Sequence, residues 1–280
     1  MLLIQAAALG LVQGLSEFLP ISSSGHLILV RDLMGWSLLE NAHWNTAFDV
    51  AVHAGTFLSL VLYFRSDIAR LFRALGSSVR RGIAGDPERR LAWLIVIGTI
   101  PAAVAGAAWE SAIEARLRDA PMLVAALLVA FGLLLWLAEW RGRKTRKLAE
   151  ATWWDGVLVG FAQALSLAPG VSRSGITMTA GLARGMSREA AARFSFLLSI
   201  PIVGGVAAYS LLGLAGEAGE RLAAAAPIFA CGMLTAAVSG YLCIHYFLRY
   251  LQRRALAPFV LYRLVVGAGL LLWFALHPTG

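Results

Sequence analysis

The fold of this chain is decided by the stretch Gly10-Leu-Val-Gln-Gly-Leu-Ser-Glu-Phe-Leu-Pro-Ile-Ser-Ser-Ser-Gly25, where proline, serine and glycine interrupt an apolar segment. A shift of 150 residues superposes it without gaps on a second interrupted segment, and seven of the sixteen positions are identical. The identical pairs are Gly10/Gly160, Gln13/Gln163, Leu15/Leu165, Ser16/Ser166, Ser22/Ser172, Ser24/Ser174 and Gly25/Gly175. Biased composition alone gives roughly one or two such matches, so the chain contains a repeat, with halves at about 1–145 and 150–280.

The composition identifies the solvent in which this repeat must fold. Of the 280 residues, 59% are hydrophobic and 14% are charged, and the mean hydropathy is +0.72. A soluble domain has roughly 45–50% apolar and about 25% charged residues. The chain is therefore predicted to be an all-α polytopic membrane protein, forming one integral membrane domain over residues 1–280. Its net charge of +8 lies in short clusters of basic residues between apolar runs. Such clusters are typical of loops that flank spans in a bilayer, so we expect a membrane and no nucleic acid partner.

Six apolar runs are long enough to cross about 30 Å of hydrocarbon as helices. They cover residues 46–64, 91–108, 121–137, 190–212, 222–247 and 257–275. Two further stretches, about 1–35 and 153–186, are broken midway at 20–25 and 169–175. We expect each to form a re-entrant hairpin of two short helices, because irregular backbone at membrane depth is tolerated only when protein or a wet cavity surrounds it. The alternative is a single kinked span.

The distribution of basic residues favours the hairpins. Seven arginines lie in 65–90, five Lys/Arg in 141–147 and three in 249–254. The intervening loops contain Arg31, Arg116, Arg118 and Arg221. With six spans and two hairpins, all the rich loops fall on one face, which the positive-inside rule places in the cytoplasm. Each half then contains three spans, an odd number, so the second half is inverted relative to the first, as in many transporters.

Each hairpin tip is followed directly by the start of a short helix. Helix N-termini present unpaired N–H groups and a positive dipole end, and they bind anions such as phosphate. Inverted hairpins bring two such termini together inside the membrane. The predicted phosphate-binding residues are Ser22, Ser24, Gly25, Ser172, Ser174 and Gly175. Arg173 lies in the second tip and is interpreted either as a phosphate ligand or as a clamp on loop carbonyls.

The first tip adds the residues of a phosphoryl-transfer site, which we predict to be Glu17, Ser23 and His26 together with Arg173. A hydroxyl or imidazole could attack phosphorus, the carboxylate could act as a base or hold a cation, and the guanidinium could offset developing charge. Three further residues, Gln13, Asp49 and His53, are predicted to support the site. For Asp49 and His53, spaced i, i+4 on a predicted span, the alternative is a pair that satisfies only itself.

Two motifs carry a resemblance to a known family. Gln13-Gly-Leu-Ser-Glu-Phe-Leu-Pro-Ile-Ser-Ser-Ser-Gly-His26 and Pro169-Gly-Val-Ser-Arg-Ser-Gly-Ile-Thr177 resemble the signature motifs of the bacterial undecaprenyl-diphosphate phosphatases, the bacitracin-resistance family. The resemblance runs nearly end to end. It implies hydrolysis of undecaprenyl diphosphate to the monophosphate, which recycles the lipid carrier of peptidoglycan synthesis at the outer face of the bacterial inner membrane and confers bacitracin resistance.

The resemblance also bears on individual positions. The family's catalytic glutamate, serine, histidine and arginine fall on Glu17, Ser23, His26 and Arg173. An acidic position four residues before that glutamate can be Glu or Gln in the family and is Gln13 here. The family implies stimulation by Mg²⁺ or Ca²⁺, and which metal acts here is open.

A rival hypothesis is a polyprenyl-phosphate transporter or flippase, because inverted repeats also suit alternating access. Glu17 and His26 discriminate against it, since carrying a phosphate requires neither a base nor a nucleophile. The sequence leaves open whether Ser23, His26 or water attacks, the prenyl chain length, movement of the product across the bilayer, and the oligomeric state, a homo-oligomer included.

Overall fold

The computed structural model describes residues 1–36, 42–118, 120–215 and 220–277. Within these ranges the chain forms eleven α-helices and no β-strand. They are α1 (Leu2–Phe18), α2 (Ser23–Met34), α3 (Ala42–Tyr63), α4 (Arg65–Arg81), α5 (Pro87–Arg118), α6 (Pro121–Arg141), α7 (Trp153–Leu165), α8 (Arg173–Ala183), α9 (Arg188–Ala215), α10 (Glu220–Leu251) and α11 (Ala257–Leu276).

Six of these helices are long and apolar enough to cross a membrane. The candidate spans are Trp44–Tyr63, Pro87–Trp109, Pro121–Arg141, Arg188–Ala208, Ala225–Leu251 and Ala257–Leu276. Each agrees with a predicted run to within four residues at either end. The prediction of an all-α polytopic membrane protein with six spans is confirmed.

The two interrupted segments form pairs of shorter helices. Helices α1 and α2 have 17 and 12 residues, and α7 and α8 have 13 and 11. At 1.5 Å per residue, an 11- to 13-residue helix covers less than about 20 Å, which is too short to cross the hydrocarbon. The arms of each pair contact one another, α1 with α2 and α7 with α8. This arrangement matches the predicted hairpins rather than a single kinked span.

The two sequence halves interlock through equivalent contacts. Helix α1 packs along α10, and α7 packs along α5, so each hairpin lies against the long helix of the other half. The close approach occurs at glycine in both places. A Cβ on Gly10 would overlap the Gly232 carbonyl, and a Cβ on Gly160 would overlap the Gly98 carbonyl. Gly10 and Gly160, which the repeat pairs in sequence, therefore each pack against a glycine of the other half.

Two segments interpreted as loops are helical. Most of 65–90 forms α4, and most of 109–120 continues α5. Helix α4 packs on α5, where the Trp93 indole donates to the Ser78 hydroxyl at 2.9 Å, while Phe72 and Val79 are 71% and 82% exposed. Arginine, leucine and alanine favour helix, so an arginine-rich segment at a membrane face forms an amphipathic helix.

An aromatic cluster lies directly beneath the tips. Phe18 at the end of α1 meets Phe196 of α9 edge-to-face, with ring centroids 5.5 Å apart, and both are buried. Phe64 and Phe247 extend the cluster, 6.4 Å from Phe196 in each case. Because α9 contacts both α3 and α8, this cluster gives the polar tips a rigid apolar base.

Candidate active site

Glu17 is the centre of a polar cluster that unites the two hairpins. Its side chain is 8% exposed. Its Oε2 accepts hydrogen bonds from Gln13 Nε2 at 3.0 Å and from Ser23 Oγ at 2.6 Å. Arg173 Nη2, from the other hairpin, lies 3.6 Å from Oε1. The structure thus brings together Gln13, Glu17, Ser23 and Arg173 as the sequence predicts.

Backbone geometry at the first tip places the Ser23 hydroxyl on Glu17. Gln13 and Glu17 are four residues apart and share one face of α1. The chain leaves α1 just before Pro20 and starts α2 from Ser22, which has φ 76°. A left-handed conformation is costly for a residue other than glycine and persists where the surrounding structure imposes it. Ser23 is then the first residue of α2 and points back at the carboxylate.

The second tip repeats this geometry with different chemistry. Ser172 has φ 70° and precedes α8, whose first residue is Arg173. Positions 23 and 173 are equivalent under the 150-residue shift. The same strained turn therefore presents a hydroxyl from one hairpin and a guanidinium from the other. The position equivalent to Glu17 is Leu167, so the carboxylate belongs to the first half alone.

His53 lies beside Glu17, whereas the Asp49 carboxylate pairs with Arg31. His53 Nε2 lies 3.7 Å from Glu17 Oε2, and its Nδ1 lies 2.7 Å from the Asp49 backbone oxygen. The Asp49 carboxylate accepts two hydrogen bonds from Arg31, at 2.9 and 2.5 Å. The two side chains do not form the self-satisfied pair considered from the sequence, because each has another partner.

His26 occupies the tip but is engaged at both ring nitrogens. Nδ1 lies 2.7 Å from the Ser22 backbone oxygen, and Nε2 lies 2.5 Å from the Tyr262 hydroxyl. The His26 and Tyr262 rings are stacked, with centroids 5.5 Å apart. Sequence analysis missed Tyr262, which is 236 residues from its partner. A catalytic role for His26 stays a prediction.

Arg263 provides a clamp on loop carbonyls, the role that the sequence offers as the alternative for Arg173. It is fully buried on α11. Its Nη1 donates to Pro20 O at 3.2 Å, its Nη2 to Gly170 O and Val171 O at 2.9 and 3.1 Å, and its Nε to Leu128 O at 3.1 Å. One side chain thus joins both tips. An arginine within an apolar run is a functional hypothesis by default, and that signal could have identified it.

The predicted phosphate-binding residues divide into two groups. In the second tip, Ser172 Oγ accepts from the Gly175 N–H at 3.2 Å and Ser174 Oγ donates to Leu19 O at 3.0 Å, and both serines are buried. These hydroxyls cap α8 and join the tips, and their contact with a phosphate stays a prediction. The first tip is more open. Ser24 is exposed, α2 has no side-chain cap, and a Cβ on Gly25 would meet only Ser22 Oγ, at 3.8 Å.

Two oxygen atoms at this centre suit a hard cation. Gln13 is fully buried, and its Oε1 has no hydrogen-bond partner among the described residues. Beside it, Glu17 is the carboxylate of the cluster. Mg²⁺ is commonly held by one or two carboxylates together with substrate phosphates, and carbonyl oxygens bind Ca²⁺. No group of three or more His, Cys, Asp or Glu positioned to hold a metal occurs in the described part of the chain. Glu17 and Gln13 therefore fit a cation that the substrate helps to hold.

The chain is similar to known proteins over nearly its whole length. Residues 6–269 match the family described as bacitracin resistance protein BacA. This chain belongs to the BacA family. It is 46% identical over 273 residues to an undecaprenyl-diphosphatase of Thioalkalivibrio sulfidiphilus, covering 97% of this chain and 99% of that protein.

Two further relatives have similar coverage. The chain is 47% identical to undecaprenyl-diphosphatase 2 of Stutzerimonas stutzeri over 98% of both proteins. It is 42% identical to undecaprenyl-diphosphatase 1 of Pseudoalteromonas translucida over 99% of this chain and all of that protein. The similarity to BacA proteins therefore includes both hairpins and all six candidate spans.

Proposed function

We infer that this chain is a membrane phosphatase that hydrolyses undecaprenyl diphosphate to undecaprenyl phosphate and inorganic phosphate. The observation that carries this inference is the 2.6 Å hydrogen bond from Ser23 Oγ to Glu17, with Arg173 facing the same carboxylate from the opposite hairpin. A hydroxyl bonded to a carboxylate base is an activated nucleophile. Family membership and the printed names of the relatives support the same reaction.

In the first step Ser23 attacks the terminal phosphorus of the diphosphate. Its Oγ–P bond forms as the bond from that phosphorus to the bridging oxygen breaks, and undecaprenyl phosphate leaves. The Ser23 proton passes to Glu17, which already accepts its hydrogen bond. Arg173 offsets the negative charge on the equatorial oxygens, a role that suits its planar fork. His26 is a poorer nucleophile here because both of its nitrogens are engaged.

In the second step water cleaves the phosphoserine. The water oxygen bonds to phosphorus, the P–Oγ bond breaks, and Glu17 returns its proton to Ser23 Oγ. Both water hydrogens leave with the phosphate as dihydrogen phosphate, so the site is restored. His53 Nε2 lies 3.7 Å from Glu17 Oε2, beside the carboxylate that takes up and returns the Ser23 proton.

A divalent cation at Glu17 and Gln13 would supply further positive charge toward the diphosphate. This role rests on the family resemblance and on the unpaired Gln13 oxygen. Since the phosphates provide the remaining ligands, we expect the cation to bind together with the substrate.

The substrate suits a site buried between hairpins in a bilayer. Its long isoprenoid tail stays among lipids while the charged head group reaches the first tip, where Ser24 is exposed and Tyr262 is 40% exposed. We place the protein in the bacterial inner membrane with this site open to the outer face, because the arginine-rich loops belong to the cytoplasm. A flippase is not favoured, since transport requires no activated hydroxyl and the relatives are named as diphosphatases.

The test is phosphate release by the purified full chain in nanodiscs, with long- and short-chain prenyl diphosphates, before and after chelation and with Mg²⁺ or Ca²⁺ restored. We expect release from the long-chain substrate, loss on chelation, and recovery with the cation. Ser23→Ala should remove activity, whereas Ser66→Ala on α4 should not. Phosphate release by Ser23→Ala at the wild-type rate would exclude Ser23 as the nucleophile. No release by the wild-type protein under any condition would reject the phosphatase function.

A further inference from the structure

We propose that Tyr262 is a positioning residue that acts through His26 to hold the first tip in the conformation that presents Ser23 to Glu17. The proposal rests on the proposed phosphatase function for its kinetic consequences. Tyr262 belongs to α11, a candidate span, and His26 belongs to α2 in the first hairpin. A remote helix thereby controls the geometry of the nucleophile.

The contact between the two side chains is both polar and stacked. Tyr262 OH lies 2.5 Å from His26 Nε2, and the ring planes are 17° apart with centroids at 5.5 Å. A hydrogen bond and a ring contact together fix both the position and the rotation of the imidazole. The hydrogen bond at one ring nitrogen also sets which of the two nitrogens carries the proton.

The hydrogen-bond directions define one arrangement of protons. The partner of His26 Nδ1 is the Ser22 carbonyl oxygen, which can only accept, so Nδ1 carries the hydrogen. In the neutral imidazole Nε2 is then the acceptor, and the Tyr262 hydroxyl donates to it. The result is a directed chain from Tyr262 through His26 to the Ser22 carbonyl.

The end of that chain is the strained residue before the nucleophile. Ser22 has φ 76°, and the peptide that follows it sets the direction of Ser23. Its carbonyl receives the His26 backbone N–H at 3.4 Å, a long bond, and His26 Nδ1 at 2.7 Å, a short one. The imidazole is therefore the closer of the two hydrogen-bond partners that fix this carbonyl.

The second tip shows what the first tip lacks. There, the strained Ser172 caps its own helix through Oγ and the Gly175 N–H, and the Ile176 N–H reaches the Ser172 carbonyl at 2.9 Å. Ile176 is the repeat equivalent of His26. The first tip has no side-chain cap, so the Tyr262–His26 pair replaces the missing restraint.

Helix α11 also holds the same tip at a second point. Arg263, the neighbour of Tyr262, donates to the Pro20 carbonyl at 3.2 Å. Adjacent residues of one helix thus fix the tip on both sides of its turn, at Pro20 directly and at Ser22 through His26.

The kinetic test is a double-mutant cycle between Tyr262→Phe and His26→Ala. Tyr262→Phe keeps the stacked ring and removes one hydrogen bond, so we expect kcat to fall about two- to tenfold, the factor corresponding to one ordinary hydrogen bond, with KM within about twofold. In the His26→Ala background Tyr262→Phe should have no further effect, because the route to Ser22 is already lost. Tyr246→Phe, at an exposed tyrosine of α10, is the matched control and should equal the wild type.

A second measurement does not depend on activity. Amide hydrogen exchange over residues 19–27 should accelerate in Tyr262→Phe and not in Tyr246→Phe, while exchange over 169–176 stays unchanged. Equal fold losses of kcat for Tyr262→Phe in both backgrounds, or unchanged exchange over 19–27, would overturn the proposal. If the wild-type protein releases no phosphate, the proposed function fails, and the exchange result alone decides the role of Tyr262.

Discussion

At the scale of single residues, equivalent positions in the two halves have acquired complementary chemistry. Ser23 and Arg173 are each the first helical residue after a serine with positive φ, and both face Glu17. The repeat supplies two similar turns that meet at Glu17, and one equivalent position provides a hydroxyl in the first turn and a guanidinium in the second. The carboxylate between them has no counterpart in the second half.

Replacing Glu17 by glutamine tests the base. The amide preserves size but loses basicity, so we expect kcat to fall by at least about 100-fold, the lower range of general acid–base catalysis. Thermal stability in detergent should change little. The matched control is Asp32→Asn, which makes the same chemical change at an exposed position of the same hairpin and should retain activity. Wild-type phosphate release by a folded Glu17→Gln protein would exclude this role.

Replacing Arg173 by lysine tests the guanidinium. The lysine ammonium is a point charge and cannot reproduce the planar guanidinium, which donates hydrogen bonds to two phosphate oxygens. Arg173→Lys should therefore be almost as slow as Arg173→Ala. Arg254→Lys, in the loop before α11, serves as the control. If the lysine variant turned over normally, Arg173 would contribute only positive potential.

At the scale of elements, the hairpins are seated by glycine contacts on the long helices. A methyl group on Gly10 or Gly160 would overlap the backbone of α10 or α5, respectively. Because the overlapped atoms belong to the backbone, no side-chain rotation can relieve the clash. We expect Gly10→Ala and Gly160→Ala each to lower the melting temperature measured in detergent. Gly269→Ala on α11, where a Cβ meets nothing within 4 Å, should be neutral or stabilising because alanine favours helix. Equal melting temperatures for all three variants would contradict the packing.

The start of α7 is fixed by an ionic cluster at the basic face. Asp155 accepts hydrogen bonds from Arg146 at 2.7 Å, Arg184 at 2.7 Å, and the Thr152 N–H at 2.7 Å. Burial of the Asp155 carboxyl opposes ionisation, but these hydrogen bonds outweigh burial and lower its pKa to about 2. The ionised form therefore anchors the second hairpin.

This lowered pKa predicts a loss of stability in acid. The folded pKa lies below the ordinary value of 3.8, so the stabilisation is complete above about pH 4 and disappears as the pH falls toward 2. Its size is about 2 kcal/mol. Unfolding in detergent from pH 6 to pH 2 should show this loss in the wild type, and Asp155→Asn should show a flatter dependence. Parallel curves for the two proteins would contradict it.

At the scale of the whole molecule, the mechanism depends on which face is cytoplasmic. From the charge split of fifteen basic residues against four, we expect 65–90 and 141–147 to lie inside and 109–120 outside. The first hairpin then inserts from outside and the second from the cytoplasm. Their tips meet at Glu17 and Arg173, and in this orientation we expect a lipid diphosphate to reach them from the outer leaflet.

Single cysteines in a background lacking Cys231 and Cys243 test this topology on intact cells. An impermeant thiol reagent should label Ala112→Cys but not Ala84→Cys or Thr145→Cys, all at exposed positions. Cysteine at Ala115 or Gly280 should also label from outside, although the Ala115 side chain and Gly280 lie outside what the structure describes. Labelling of Ala84→Cys from outside, or of positions 84 and 112 from the same side, would reject the inverted topology.

The membrane fold and the motif residues were predictable because their signals are local. Run length, charge clusters and the i, i+4 spacing of Gln13 and Glu17 depend on neighbours in sequence and on the bilayer. The repeat also allowed a prediction about two distant segments, because it showed that two similar tips must occur. The helix α4 was not predicted because its arginine-rich sequence contains no long apolar run. Its helical structure depends on packing at a membrane face.

By itself, the sequence determined that this protein spans a membrane six times, carries two broken hairpins, and brings a carboxylate, a hydroxyl and an arginine to their tips. Only the tertiary structure decided which partner each polar group has. It paired Asp49 with Arg31, gave the carbonyl clamp to Arg263, turned Ser172 and Ser174 inward, and joined Tyr262 to His26. These choices depend on rotamers and on packing between residues up to 243 positions apart, and no periodicity in the sequence encodes them.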